Sequence, residues 1–136
     1  MIQGVVSREL VPTLKIALVG IEAQEFEIDA EIDTGFNGDL SLPLERIVSL
    51  GWIHRGDESV VLGDGREARV DVYRGIVLWR GTPRLVFVMA AEAKALVGVG
   101  LLGGNRLTID FHPGGQVSIS PLPETRDGVE QCSDVS

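Results

Sequence analysis

The alternation in Glu25-Phe26-Glu27-Ile28-Asp29-Ala30-Glu31-Ile32 limits what this chain can become more than any other stretch. Phe26, Ile28, Ala30 and Ile32 take every second position, and Glu25, Glu27, Asp29 and Glu31 fill the gaps. Side chains of a strand point to opposite faces in turn, so this period of two marks a strand with one buried and one wet face. The pattern stops at Asp33-Thr34-Gly35-Phe36-Asn37-Gly38. Gly35 admits a sharp turn, including positive φ, and the Thr34 hydroxyl can bond nearby backbone. A carboxylate, Asp33, is therefore expected where a strand ends on a fixed turn. Taken alone, Asp33 also reads as one more member of the acidic row, and Asp, Asn and Gly are ordinary turn residues.

Other short segments carry strand signatures, separated by turns. Leu14–Val19 precedes the first strand across Gly20–Gln24 and is expected to form a hairpin with it. Asp39–Leu42, Glu58–Leu62, Arg66–Tyr73, Ile76–Trp79, Leu107–Phe111 and Gln116–Ser120 follow. Leu85–Met89 is a continuous apolar run, which predicts a strand buried on both faces. Gly63-Asp64-Gly65 is a hairpin signal between two strands, and Gly75 marks a possible bulge. Pro43–Leu50 predicts a short helix, with Pro43 in its first turn, Leu44, Ile47 and Val48 at helical spacing, and Gly51 at its C-terminal cap. A chain of 136 residues with 17 glycines and few aromatics suits one domain of about eight short strands, a small barrel or sandwich. The domain is expected over 1–120, and 121–136 reads as a flexible acidic tail.

Several function classes drop out. The formal net charge of -8, with basic residues scattered, argues against nucleic acid as a partner. One cysteine, Cys132, permits neither an internal disulfide nor a thiolate zinc cage. His54 and His112 lie far apart and read as surface or turn residues, so no metal and no cofactor is expected. No apolar run approaches the ~20 residues that span a bilayer, and no leader pattern opens the sequence. The expectation is a soluble cytoplasmic protein without a membrane partner. Gly98-Val99-Gly100-Leu101-Leu102-Gly103 matches a dinucleotide-binding glycine pattern. That reading needs a long following helix and an acid about 20 residues on; Gly104-Asn105 blocks the helix and Asp110 comes too early.

Asp33-Thr34-Gly35 at a strand end, a Gly63-Asp64-Gly65 hairpin and then Leu96-Val97-Gly98 occur in one order. The series, over roughly residues 14–119, resembles the retropepsin-like aspartic proteases. The run from Leu96 to Phe111 is similar to that family's C-terminal segment. Asp33-Thr34-Gly35-Phe36-Asn37-Gly38 followed by Leu40-Ser41-Leu42-Pro43 is similar to a prokaryotic clan AA subgroup whose loop reads Asp-Thr-Gly-Phe.

The resemblance implies an all-β, single-lobe, closed acid-protease barrel with one or two short helices. It implies Asp33 as the catalytic carboxylate, on an active-site loop of Thr34, Gly35, Phe36 and Asn37. Leu62, Gly63, Asp64 and Gly65 would form a flap over the substrate, and Leu96, Val97 and Gly98 would pack beneath the loop. Only one Asp-Thr-Gly is present, so a pair of carboxylates requires a homodimer in which Thr34 braces the two loops. The substrate would be an extended polypeptide. The resemblance also suggests pairing of the chain ends, Val5-Val6 and Val117–Ile119, between subunits. The chain departs from the family at Val99 and Gly100, where many relatives carry a polar brace. It departs again at Phe36, whose ring either narrows the cleft or packs inward. A catalytically silent peptide-binding or dimerisation module is the alternative.

Overall fold

The computed structural model describes residues 1–92 and 94–123. Its strands are β1 (Ile2–Val6), β2 (Pro12–Val19), β3 (Glu25–Ile32), β4 (Leu40–Pro43), β5 (Ile53–Val61), β6 (Glu67–Trp79), β7 (Thr82–Ala91), β8 (Leu96–Val97), β9 (Asn105–Ile109) and β10 (Gln116–Pro121). Two short helices, α1 (Leu44–Leu50) and α2 (Val99–Leu102), interrupt them. The chain is mostly β, and every strand belongs to one sheet in the order β5-β6-β7-β4-β8-β3-β2-β1-β10-β9. β2 also touches β6, with Ala17 opposite Leu78 and Leu18 opposite Val77, and this contact bends the central strands into a ring. One edge of β2 is thus shared, Pro12–Leu14 taking β1 and Ala17-Leu18 taking β6. Leu18, Leu40, Leu42, Val77, Val88 and Val97 fill the ring and are fully buried.

The β2–β3 hairpin follows from the period-two pattern, with Ile16 opposite Ile28 and Leu14 opposite Ala30. On its wet face Lys15 pairs with Asp29 at 3.0 Å. Burial along β3 deepens toward its C-terminal end, where Ala30 and Ile32 are buried, so the strand delivers Asp33 next to the core. Asp39–Leu42 departs from simple alternation: Leu40, Ser41 and Leu42 are all buried, so both faces of β4 are covered. α1 ends at Gly51 in the left-handed region (φ 74°), as a C-terminal glycine cap should. Pro43 caps α1 from outside the helix, and the buried face is Ile47 and Leu50, leaving Leu44 and Val48 exposed. α2 has four residues, too few for a dinucleotide helix.

Three expectations are corrected. Gly75 is not a bulge, since β6 and β7 stay in register through Arg74–Phe87, Gly75–Val86 and Ile76–Leu85. Its missing side chain makes room for Trp52, whose indole would lie 2.7 Å from a Cβ there. The bulge sits instead in β5, between His54 and Gly56. Leu85–Met89 is not covered on both sides: Val86 and Val88 are buried, but Leu85 is 58% and Phe87 51% exposed. Finally, the chain ends pair within one chain. β1 lies between β2 and β10, with Gln3 opposite Ser118 and Gly4 opposite Val117, so both its edges are occupied.

Pro121 completes β10, and the Leu122 N–H donates to the Gly104 carbonyl at 3.0 Å. The acidic tail from residue 124 onward, with Cys132, lies outside the described residues. No helix among the described residues is long and apolar enough to cross a membrane.

The Gly75 contact carries a prediction. The Trp52 Nε1–H donates to the Val19 carbonyl at 2.8 Å, which fixes the indole against β6. Gly75→Ala must displace that ring and is expected to cost about 1–3 kcal/mol, read as a lower urea midpoint with an unchanged denaturant slope.

Candidate active site

β3 and β4 follow each other in sequence but do not touch in the sheet. β8 lies between them, parallel to β3 (Ile32 opposite Val97) and antiparallel to β4 (Leu40 opposite Val97). The connection from Asp33 to Asp39 must therefore cross over the end of β8. Four backbone bonds stitch the crossing: Asp33 N–H to Val97 O (2.9 Å), Gly98 N–H to Asp39 O (3.0 Å), Val99 N–H to Phe36 O (2.9 Å) and Gly100 N–H to Gly38 O (3.0 Å). Gly98 sits directly beneath the crossing, and a Cβ there would lie 2.2 Å from the Gly38 carbonyl oxygen. Leu96 and Val97 supply the strand under the loop, Val97 fully buried.

Asp33 is partly exposed at the end of β3. The Gly35 N–H donates to its Oδ1 at 2.9 Å, and its backbone carbonyl accepts from the Phe36 N–H at 3.1 Å. Oδ2 has no hydrogen-bond partner among the described residues. The carboxylate is thus held by one oxygen and presents the other. The Thr34 side chain is exposed and makes no hydrogen bond within the chain among the described residues, so the expected local bond to backbone does not form. Phe36 packs inward over two glycines: its ring would contact a Cβ at Gly38 at 2.7 Å and one at Gly98 at 2.6 Å.

The space at Gly100 is also occupied. Asp39 Oδ1 would lie 2.0 Å from a Cβ there, and Asp39 Oδ2 accepts the Phe87 N–H of β7 at 3.0 Å. A carboxylate from the loop side thus fills the space that a side chain at Gly100 would need. Arg84 holds the same corner, donating through Nη2 to the Gly100 carbonyl at 3.0 Å. Charge-assisted bonds of this kind anchor the carbonyls of the short α2.

The β5–β6 hairpin overhangs the loop. At its tip the Leu62 N–H donates to Arg66 O (2.7 Å), the Gly65 N–H to Leu62 O (2.9 Å), and the Arg66 N–H to Asp64 Oδ1 (3.0 Å). Gly65 alone of the two tip glycines needs positive φ (87°). A cleft of about 440 Å³ runs between Gly35–Gly38 and the β5 residues Glu58–Val61, with Met89 at its wall. A second recess of about 310 Å³ adjoins it, sharing Asn37, Gly38, Glu58 and Met89 and adding Asp39, Val72 and Phe87. The cleft is lined by Gly35, Phe36 and Asn37 as the sequence suggests, but by the strand Glu58–Val61 rather than the tip Leu62–Gly65, and Asp33 stands beside it rather than in its wall. Glu58, Asp39, Phe87 and Met89 are not singled out by sequence. Their only sequence signal is position: Asp39 follows the Asp33–Gly38 loop, Glu58 precedes the hairpin tip, and Phe87 and Met89 belong to the apolar run.

Across the hairpin, Arg69 grips Asp57 with both nitrogens, Nη2 to Oδ1 at 2.8 Å and Nε to Oδ2 at 3.2 Å. This bond, followed by the guanidinium charge, holds the Asp57 carboxyl below the usual carboxylate range. A carboxyl depressed on folding stabilises the folded hairpin above its unfolded pKa, and that contribution is lost as pH falls through the folded value. An NMR pH titration is expected to show Asp57 titrating below a free aspartate, and Arg69→Ala is expected to return it to the ordinary range. Among the described residues no cluster of His, Cys, Asp or Glu is arranged to hold a metal ion. No family model matches this chain, and comparison with curated proteins and with solved structures yields no match.

Proposed function

We propose that this chain is one half of a homodimeric aspartic endopeptidase of retropepsin-like fold, with Asp33 from each subunit meeting on a two-fold axis. The observation that carries the reading is the loop crossing at β8. It holds Asp33 by Gly35 at the buried end of β3 and leaves Oδ2 without a partner among the described residues, beside an overhung cleft.

One carboxylate cannot act at once as acid and base. Two that approach within a few ångströms share a proton, because both cannot ionise cheaply. Their titration belongs to the pair. The ionised Asp33 takes a proton from a water as its oxygen attacks the peptide carbonyl carbon. The protonated Asp33 gives its proton to the carbonyl oxygen. The Asp33 that took the water's proton then gives it to the nitrogen, a hydroxyl of the resulting diol returns a proton to the other Asp33, and the C–N bond breaks to release a carboxylic acid and an amine. The Gly35 N–H keeps Asp33 Oδ1 fixed throughout, and the β5–β6 hairpin limits water around the reacting centre.

A second reading, a catalytically silent peptide-binding module of the same shape, is favoured by one observation: the cleft is walled by Gly35–Gly38 and β5, not by Asp33. Cleavage of a diverse peptide library from about pH 4 to about pH 7.5, with the protein's oligomeric state followed in parallel, separates the two. Hydrolysis whose specific rate rises with dimer content supports the endopeptidase. A folded dimer that binds peptides and cuts none establishes the module.

A further inference from the structure

Glu58 is the residue common to three adjoining recesses, of about 440, 310 and 150 Å³, that together make a continuous groove along β5. In the β5–β6 ladder Glu58 stands opposite Val70, on the face that carries Gly56 and Val60. Four carboxylates along the hairpin and the groove are already engaged: Asp57 by Arg69, Asp71 by His54, Asp64 by Arg66, and Asp39 by the Phe87 N–H. Glu58 has neither a hydrogen bond nor an ion pair among the described residues. The basic groups nearby lie on the side of the two smaller recesses, both lined by Phe87. Arg55 lines the smallest recess, and the Arg74 guanidinium stacks 4.8 Å over the Phe87 ring. Most other side chains on the groove are apolar, chiefly Phe36, Val60, Val72, Phe87 and Met89.

We propose that Glu58 is a specificity-determining residue that selects extended peptides carrying Lys or Arg between apolar neighbours. The proposal rests on the peptide-binding cleft of the preceding reading, not on its chemistry. A peptide in extended form presents side chains to alternate sides. One cationic head then reaches Glu58, while its methylene stem lies along the Val60 and Met89 wall of the cleft of about 440 Å³. A charge pair flanked by apolar walls is screened less than one in open water.

The test measures binding to the full-length Asp33→Asn chain by fluorescence anisotropy, so that no peptide is consumed. The probes are apolar peptides of about eight residues, matched except for Lys, Leu or Glu placed at each position in turn. At one position Lys is expected to bind about tenfold tighter than Leu, and Glu weaker than Leu, the gap narrowing with added salt. Glu58→Gln is expected to erase the Lys preference, and Glu58→Lys to reverse it. Glu58 is exposed, so neither change disturbs the core. Equal binding of Lys and Glu peptides, a preference that survives Glu58→Gln, or no binding at all would overturn the proposal. Wild-type hydrolysis is scored separately. Selective binding without cutting retains Glu58 and removes the endopeptidase, while cutting without charge preference does the reverse.

Discussion

An Asp33→Asn chain is expected to fold like the wild type and to lose about a thousandfold or more of its peptide hydrolysis. Folding should survive because the asparagine oxygen can still accept the Gly35 N–H that Asp33 Oδ1 accepts at 2.9 Å. Hydrolysis should not, because an amide neither ionises to take a proton from water nor shares one with its mate. The homodimer sharpens this prediction. Mixing wild type with about a ninefold excess of Asp33→Asn leaves about one wild-type chain in ten paired with another. The activity of a fixed amount of wild type should then fall to about a tenth once subunits exchange. A chain acting alone would keep its full activity in the mixture. Equal hydrolysis by both proteins would remove Asp33 from the mechanism.

Gly98→Ala is expected to be the most damaging one-carbon change at the loop crossing. The backbone at Gly98 is extended (φ -102°, ψ 179°), a conformation any residue adopts, so no dihedral strain arises. The harm is contact. The new methyl would lie 2.2 Å from the Gly38 carbonyl oxygen and 2.7 Å from that of Phe36, both backbone atoms that cannot rotate aside. To admit it, the Asp33–Asp39 loop must lift off β8 and break the stitches that set the carboxylate. A loss at or above about 3 kcal/mol is expected, seen in chemical denaturation, together with loss of peptide binding. Gly100→Ala is the informative contrast. Its methyl meets Asp39 Oδ1, the end of a side chain that can swing away. It should cost less stability while releasing the Phe87 N–H from its carboxylate partner.

The parts of the fold that were legible in sequence are those set by near neighbours. The period of two in Glu25–Ile32 gives β3 its full extent, and Asp33 follows it directly. Gly51 and the Gly63–Gly65 turn fall where local geometry needs them. What stayed hidden depends on residues far along the chain. Gly75 reads as a bulge until Trp52, some twenty residues earlier, is seen to fill its place. The apolar run Leu85–Met89 looks the same whether one face or two are covered, and only the ring shows that Leu85 and Phe87 remain open. The candidate site divides the same way. Asp33 and its glycines announce themselves. Asp39 and Glu58 look like ordinary surface acids, because the β7 amide and the cleft that give them meaning are assembled by topology.

The pairing of β1 with β10 also dictates when the fold can be finished. Ile2 lies opposite Ile119, so this ladder joins two strands that are far apart in the sequence. Synthesis delivers β1 and its neighbour β2 well before β10, so the second ladder of β1 must wait until β10 has emerged. Contacts so distant in sequence close slowly, since the entropy of a long loop is lost before any pairing is gained. During that interval one edge of β1 stands open as a template for other strands. The nascent chain is therefore expected to be prone to aggregate before the β1–β10 ladder closes, and a chaperone that shields that edge would raise the yield of folded protein without touching the mature molecule.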